Sequence, residues 1–261
     1  MRGYNKFSIG KSECGNDILC AHRGGYGGKQ LIIIGGIHAR ECYTALVVLE
    51  QIAAFGTGGA DGAYFIPLVN PDGALFFETG DAQCSDFLAR HVDEHRAWKA
   101  NALGVDLNNN FDANWGTGAQ NRRSPYSHGY IGEYPASAKE VRALVDFTLN
   151  VRPNATISYH MMGGELYWEF FQTGERKRRD KAFATALADY IDVRRVDGDL
   201  GSAGGYKDWC VQYLHIPAVT IELIKQGSHP FEAADLALEI PLNAGLPRYA
   251  LSVLKESEQG K

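Results

Sequence analysis

Residues 30–38 read QLIIIGGIH, and no other stretch limits the fold so tightly. A strand with one wet face alternates polar and apolar residues. An unbroken apolar, β-branched run that ends in two glycines is the pattern of a strand buried on both faces, as in a sheet with helices above and below. The next segment, ECYTALVVLEQIAAF (41–55), places apolar residues at helical spacing and stops before GTGGADG. Further strands are expected at AYFIPLV (63–69, running into the turn NPDG), ATISYHM (155–161) and AVTIELI (218–224). Helices are expected over SAKEVRALVDFTLNV, DKAFATALADYI and, more briefly, YKDWCVQYL, with residues 101–134 irregular. The C-terminal EAADLALEIPLNAGLPRYALSVLK reads as helix interrupted at Pro241 and Pro247.

Strands alternating with helices predict an α/β fold: one mixed, mostly parallel twisted sheet of about eight strands covered by helices on both faces. At 261 residues, 45% hydrophobic and 22% charged, the chain can bury one large core, so a single domain over 1–261 is expected. The 30 glycines are scattered without a period, which excludes collagen-like or low-complexity sequence.

A net charge of −5 with both signs interleaved gives no footprint for nucleic acid or an anionic membrane. The one basic cluster, ERKRRDK (175–181), is broken by acids and reads as a solvated helix start. No apolar run is long enough to span a bilayer, and the first residues do not resemble a leader. The chain as it stands therefore reads as cytoplasmic, although a chain from which a leader had been removed would read the same way. Five cysteines without CxxC spacing predict reduced, partly buried thiols.

In a sheet of this kind ligands collect beyond the carboxyl ends of the strands. His38 follows the first predicted strand, His160 lies at the end of the third and Glu222 at the end of the fourth. A hydrolytic zinc site uses three His or carboxylate ligands and an open position for water. His38 and Glu41, three residues apart on a tight loop, can converge on one ion, and His160 would be the third ligand. HxxE alone also describes a surface pair or one satisfied in the core, and Glu222 alone also suits a partner such as Lys225. Among the remaining histidines, only His91 and His95 at i, i+4 could share a helix face.

GGIHARE, NPDG, HRAWKAN with GVDLNNNF, SYH and AVTIEL occur in the order and spacing of the zinc metallocarboxypeptidase family. The chain resembles that family from about residue 4 to 255, and most of all its bacterial branch that cuts cell-wall peptides at γ-D-glutamyl-diamino acid bonds. The resemblance implies one zinc ion held by His38, Glu41 and His160, with Glu222 as general base. It implies that Lys99, where the family more often has arginine, faces the carbonyl oxygen as a point charge, with Arg96 and Arg40 as neighbouring alternatives.

The chain departs from the family at two places. The usual GVDLNRNF supplies Asn and Arg to grip a terminal carboxylate; here Asn108 is followed by Asn109, which loses a charge-assisted contact of about 1.5–3 kcal/mol. Arg122 and Arg123 in the following loop could replace it. The loop tyrosine of many carboxypeptidases falls at Leu200, with Tyr206 the nearest aromatic. The stretch AGGYKDW would put Lys207 in the pocket beyond the scissile bond, where a cation favours an acidic or zwitterionic arm such as that of meso-diaminopimelate. Together these imply a peptidase of short, murein-derived peptides that cuts beside a diamino acid. Alternatives are an ordinary carboxypeptidase, a retired peptidase-like binding module, and a zinc deacylase of amino acids. His and carboxylate ligands also accept cobalt, nickel or manganese.

Overall fold

The computed structural model describes residues 5–198 and 201–259. Eight strands form one sheet: β1 (Asn5–Lys11), β2 (Asp17–Gly24), β3 (Gln30–Ile34), β4 (Gly62–Ile66), β5 (Ala155–Met161), β6 (Glu165–Tyr167), β7 (Arg194–Val196) and β8 (Ala218–Leu223). Their spatial order is β1-β2-β4-β3-β5-β8-β6-β7. The central strands β4, β3, β5 and β8 run parallel, β1 and β2 add antiparallel at one side, and β6 pairs antiparallel with β8 at the other.

The apolar run of β3 is buried on both faces because its alternate residues feed two cores. Leu31 and Ile33 pack with helices α1 (Thr44–Ala54), α5 (Gly174–Tyr190) and α8 (Leu246–Gln259), through side chains such as Val48, Leu187 and Leu251. Ile32 and Ile34 pack on the opposite face with α4 (Lys139–Val151) and the short helix Tyr206–Trp209, through Val141, Leu144, Tyr206 and Trp209. Every residue of β5 is buried. The basic run forms the solvated start of α5, where Glu175, Lys177 and Arg178 are exposed.

Several expectations are corrected. The two N-terminal strands were not foreseen. NPDG is a helix start, not a turn: Asn70 accepts the Gly73 N–H at 2.9 Å and Pro71 occupies the first turn of α2 (Pro71–Thr79). Pro241 and Pro247 likewise lie in the first turns of α7 (Glu239–Asn243) and α8, where a missing N–H costs nothing, and the break falls between them at Ala244–Gly245. His91 closes α3 (Asp86–His91) and His95 sits beyond an extended Val92, so the two share no helix face. The thiols are not all reduced: Cys14 and Cys84 form a disulfide, while Cys20, Cys42 and Cys210 are free and buried.

Candidate metal centre

Beyond β3 the chain must turn sharply under a loop from β4. Gly36 adopts φ +56°, and a Cβ there would sit 2.5 Å from the Leu68 side chain, so a glycine is required. The turn places His38 ahead of a single 3₁₀ turn, Ala39–Glu41, and the Thr44 hydroxyl staples it by accepting from Gly36 N–H and donating to the Glu41 carbonyl. β5 supplies His160 from the adjacent strand.

The three candidate ligands meet. His38 Nδ1 lies 3.0 Å from Glu41 Oε1, and His160 Nδ1 lies 3.2 Å from His38 Nδ1 and 3.1 Å from Glu41 Oε2. Three donors around one tetrahedral zinc at about 2.0–2.1 Å would stand about 3.4 Å apart, close to this spacing. The donor set therefore fits the ion, and it is the one such group of His, Cys, Asp and Glu among the described residues. All three side chains are buried. With Nδ1 facing the ion position, the proton of His38 sits on Nε2, which donates to Asp106 Oδ1 at 3.2 Å. Asp106 Oδ2 in turn accepts from Lys99 Nζ at 2.7 Å. Burial alone would raise the Asp106 pKa, but Lys99 and His38 hold it far below the usual carboxylate range. Asp106 is the aspartate of GVDLNNNF, and nothing in that stretch by itself signals this role. The residue sits two positions before Asn108, where it also caps the turn Leu107–Asn109.

β8 is in register with β5 so that Glu222 stands directly beside His160. Neighbouring parallel strands are about 4.8 Å apart, so the carboxyl group lies next to the metal cluster on the same face. Its pKa is raised to about 7, first by burial, with Glu41 adding to the rise and His160, Lys99 and Arg40 opposing it. Lys225 is not its partner; that ammonium goes to Asp192 at 3.2 Å.

Glu222 and Lys99 line a cavity of about 320 Å³ together with Asn108, Asn109, Tyr167, Lys207, Asp208 and Thr220. Burial would lower the Lys99 pKa, but Asp106 and Glu41 outweigh it and keep the ammonium charged. Arg96 is not at the site: it is spent on Glu78 and Glu232 and stacks over Phe77.

The three asparagines do different work. Asn110 is structural, bonded to the Ile131 and Tyr134 carbonyls and the Ala138 N–H. Asn108 Oδ1 accepts from Tyr206 N–H at 3.0 Å, which leaves its amide donors for the cavity. Asn109 lines the cavity wall. Gly204 (φ +83°) lies against the carbonyl of Asn109, 2.5 Å from where a Cβ would be, so that wall needs a glycine.

The proposed clamp replacements are elsewhere. Arg122 is exposed and donates to the carbonyls of Ala119 and Asn121, while Arg123 lies over the Trp115 ring at 4.7 Å. Their loop contributes Gln120 and Asn121 to the cavity instead. Tyr206 is no loop tyrosine: it is fully buried, with its hydroxyl 2.9 Å from Thr148 Oγ1, because Tyr206, Trp209 and Cys210 form the inward face of their helix. Leu200 lies outside the described residues. Lys207 does reach the cavity, but as half of an ion pair: Nζ is 2.5 Å from Asp208 Oδ1 and donates to the Glu169 carbonyl at 3.0 Å. Arg40 does not line this cavity, although its charge is felt by Glu222 and Lys99. His229 and His128, which sequence reasoning passed over, are also close enough to feel the charges of Arg40 and His38.

The zinc carboxypeptidase family model matches residues 4–238. The chain is 30% identical over 179 residues to gamma-D-glutamyl-L-diamino acid endopeptidase 1 of Lysinibacillus sphaericus, a match that covers 65% of this chain and 44% of that protein. It thus spans less than half the length of that relative. The fold superposes on bovine thrombin-activatable fibrinolysis inhibitor, solved with a tick carboxypeptidase inhibitor, with TM-score 0.77 and 20% identity over 99% of this chain and 91% of that one. It also superposes on the murein-tripeptide amidase MpaA of Escherichia coli O157, with TM-score 0.62 and 19% identity over 94% and 92% of the two chains.

Proposed function

The chain belongs to the zinc carboxypeptidase family, and from that premise we propose that its residues 1–261 form one zinc peptidase domain that hydrolyses short, murein-derived peptides beside a diamino acid, at a γ-D-glutamyl–diaminopimelate type of bond. The observation that carries the reading is the register of β5 and β8, which seats Glu222 next to a three-donor cluster of His38, Glu41 and His160.

Zinc, when bound there, polarises an amide carbonyl and lowers the pKa of water toward neutrality. Glu222, which lines the cavity beside the cluster, would take a proton from the attacking water and hand it to the nitrogen of the departing amine. A carboxyl raised to about 7 can do both near neutral pH. Lys99 donates to the oxygen of the scissile carbonyl as negative charge builds on it, held in place by Asp106. Asp106 also fixes the ring of His38.

The cavity favours a diamino acid over a plain C-terminal residue. Among the described residues no arginine lines it, and the two lysines that do, Lys99 and Lys207, are each already paired with an aspartate. A bare carboxylate finds no free cation in such a pocket. The Lys207–Asp208 dipole instead offers one sign of charge to each end of a zwitterion, as on the far arm of meso-diaminopimelate. The Cys14–Cys84 disulfide favours work in an oxidising compartment, outside the cytoplasm. No helix among the described residues is long and apolar enough to cross a membrane.

The test is to incubate the zinc-loaded protein with L-Ala-γ-D-Glu-meso-diaminopimelate and follow both products by mass spectrometry. Cleavage is expected, and Glu222→Gln should abolish it while keeping one equivalent of zinc. Release of ordinary C-terminal amino acids, with the tripeptide untouched, would point to a plain carboxypeptidase. Release of acyl groups from acyl-amino acids would point to a deacylase, and zinc without any turnover to a binding module.

A further inference from the structure

β6 places a second carboxylate across from the general base. In the antiparallel pair of β6 and β8, Glu165 stands directly opposite Glu222, and Tyr167 opposite Thr220. Such partners leave the same face of the sheet with Cβ atoms about 4.5–5.5 Å apart. Gly163, in the bend between β5 and β6, lies against both side chains: a Cβ there would stand 3.5 Å from the Cβ of Glu222 and 3.7 Å from Oε2 of Glu165. Like charges directly opposite each other are unfavourable, so one of the two carboxyl groups needs partners of its own. Glu165 has them. Its Oε1 accepts from the guanidinium of Arg194 on β7, and its Oε2 accepts from the hydroxyl of Tyr167.

The bond to Glu165 sets the polarity of the phenol. A tyrosine hydroxyl has one proton to donate and lone pairs with which to accept. With the proton directed at Glu165, the oxygen offers the cavity an acceptor. The Tyr167 side chain lines that cavity together with Glu222. Burial first, and the charge of Glu222 next, raise the Tyr167 pKa, so the phenol keeps its proton. In the reaction derived above, the group that comes up to Glu222 is the scissile amide nitrogen, which carries one N–H.

We propose that Tyr167 is a catalytic residue whose oxygen accepts the N–H of the scissile amide, and that Glu165 is the positioning residue that turns the phenol to do so. In the planar amide the nitrogen lone pair is delocalised into the carbonyl, so the nitrogen must become pyramidal before it can take a proton. An acceptor on the N–H, with the proton donor Glu222 on the lone-pair side, favours that shape in the transition state over the planar ground state. No proton leaves Tyr167. Glu222 gives the nitrogen the proton that it took from water, the C–N bond breaks, and the amine departs with its N–H still on the Tyr167 oxygen. The inference rests on the peptidase reading above and deepens its chemical step.

The experiment compares an amide with its ester. The amide is L-Ala-γ-D-Glu-meso-diaminopimelate, and the ester is the same molecule with the scissile N–H replaced by oxygen. In Tyr167→Phe, kcat/KM for the amide falls about tenfold, the worth of one hydrogen bond, while that for the ester stays at the wild-type value. In Glu165→Gln the one remaining oxygen goes to the charged Arg194 and the NH₂ faces the Tyr167 oxygen, so the loss is again confined to the amide. Both variants keep one equivalent of zinc. An equal loss on amide and ester, or no loss on either, in Tyr167→Phe overturns the role of the tyrosine. A Glu165→Gln protein with wild-type rates on both substrates overturns that of the glutamate. If the wild type leaves both murein compounds intact, the murein reading fails, and benzoylglycyl-phenylalanine against benzoylglycyl-phenyllactate makes the same comparison. A wild type that hydrolyses neither amide overturns the role of Tyr167 together with the peptidase reading.

Discussion

Replacing Asp106 with asparagine keeps the shape of the side chain and removes its charge. The carboxylate is 1% exposed and, besides the Asn108 N–H of the turn it caps, takes two side-chain hydrogen bonds, one from His38 Nε2 at 3.2 Å and one from Lys99 Nζ at 2.7 Å. Both partners are donors toward it. An asparagine can turn its oxygen to only one of them, so its NH₂ must face the other donor. If the oxygen stays on Lys99, His38 loses the acceptor that fixes its ring, and supporting contacts of this kind are worth about 10–100-fold in metal affinity, or about 1.4–2.7 kcal/mol. If it turns to His38, Lys99 loses its anchor, and a buried donor without a partner costs about 1–3 kcal/mol. Either way the zinc Kd or kcat/KM must suffer, and the two are separable. Chelator competition should show weaker zinc binding by Asp106→Asn, and activity at saturating zinc should remain below wild type. Lys99→Met, which leaves the His38 contact intact, should hold zinc normally and lose only kcat/KM. An Asp106→Asn protein that is folded, binds zinc as tightly as wild type and turns over at the same rate would refute the reasoning.

Glu140 is fully buried, accepts from Asn101 Nδ2 at 3.1 Å and Glu13 N–H at 3.2 Å, and has its pKa raised from 4.5 to about 7, chiefly by burial. A carboxyl whose folded pKa lies above its unfolded one costs nothing below the unfolded value and costs most above the folded one. Relative to Glu140→Gln, wild-type stability should therefore fall by up to about 3 kcal/mol between pH 4.5 and pH 7; urea unfolding at pH 5 and pH 8 measures it, and parallel pH profiles would contradict it. The Cys14–Cys84 bond closes a loop across a sequence separation of 70 residues, worth about 4 kcal/mol on chain-entropy grounds. A reducing agent, or Cys84→Ser, should lower the denaturant midpoint accordingly, whereas an unchanged midpoint would show that the bond adds nothing to folding.

Much of the fold was legible because periodicity acts locally. Leu31–Ile34 could only be a doubly covered strand, and β5 and β8 fell where the apolar runs stood. β1 was missed because it is an edge strand whose residues are mostly exposed or half-buried, so its alternation is faint. β6 and β7, three residues each, are too short to show any period. The burial of Tyr206 was legible in principle, since Tyr206, Trp209 and Cys210 stand at i, i+3, i+4, but its place beside a family motif drew it toward the pocket instead.

The candidate site divides in the same way. His38 and Glu41 are paired by three residues of chain, and Asp106 and Asn108 by two, so local sequence alone nearly determines their geometry. Which residues meet them is a matter of packing. Strand register places Glu222 beside His160, an adjacent aspartate neutralises Lys207, and a loop folding over a turn brings Glu232 to Tyr43 and Arg96. Hydrophobic spacing specifies which face of an element is buried, but it carries no information on which distant element comes to cover it; register and loop closure are settled only when the whole core packs.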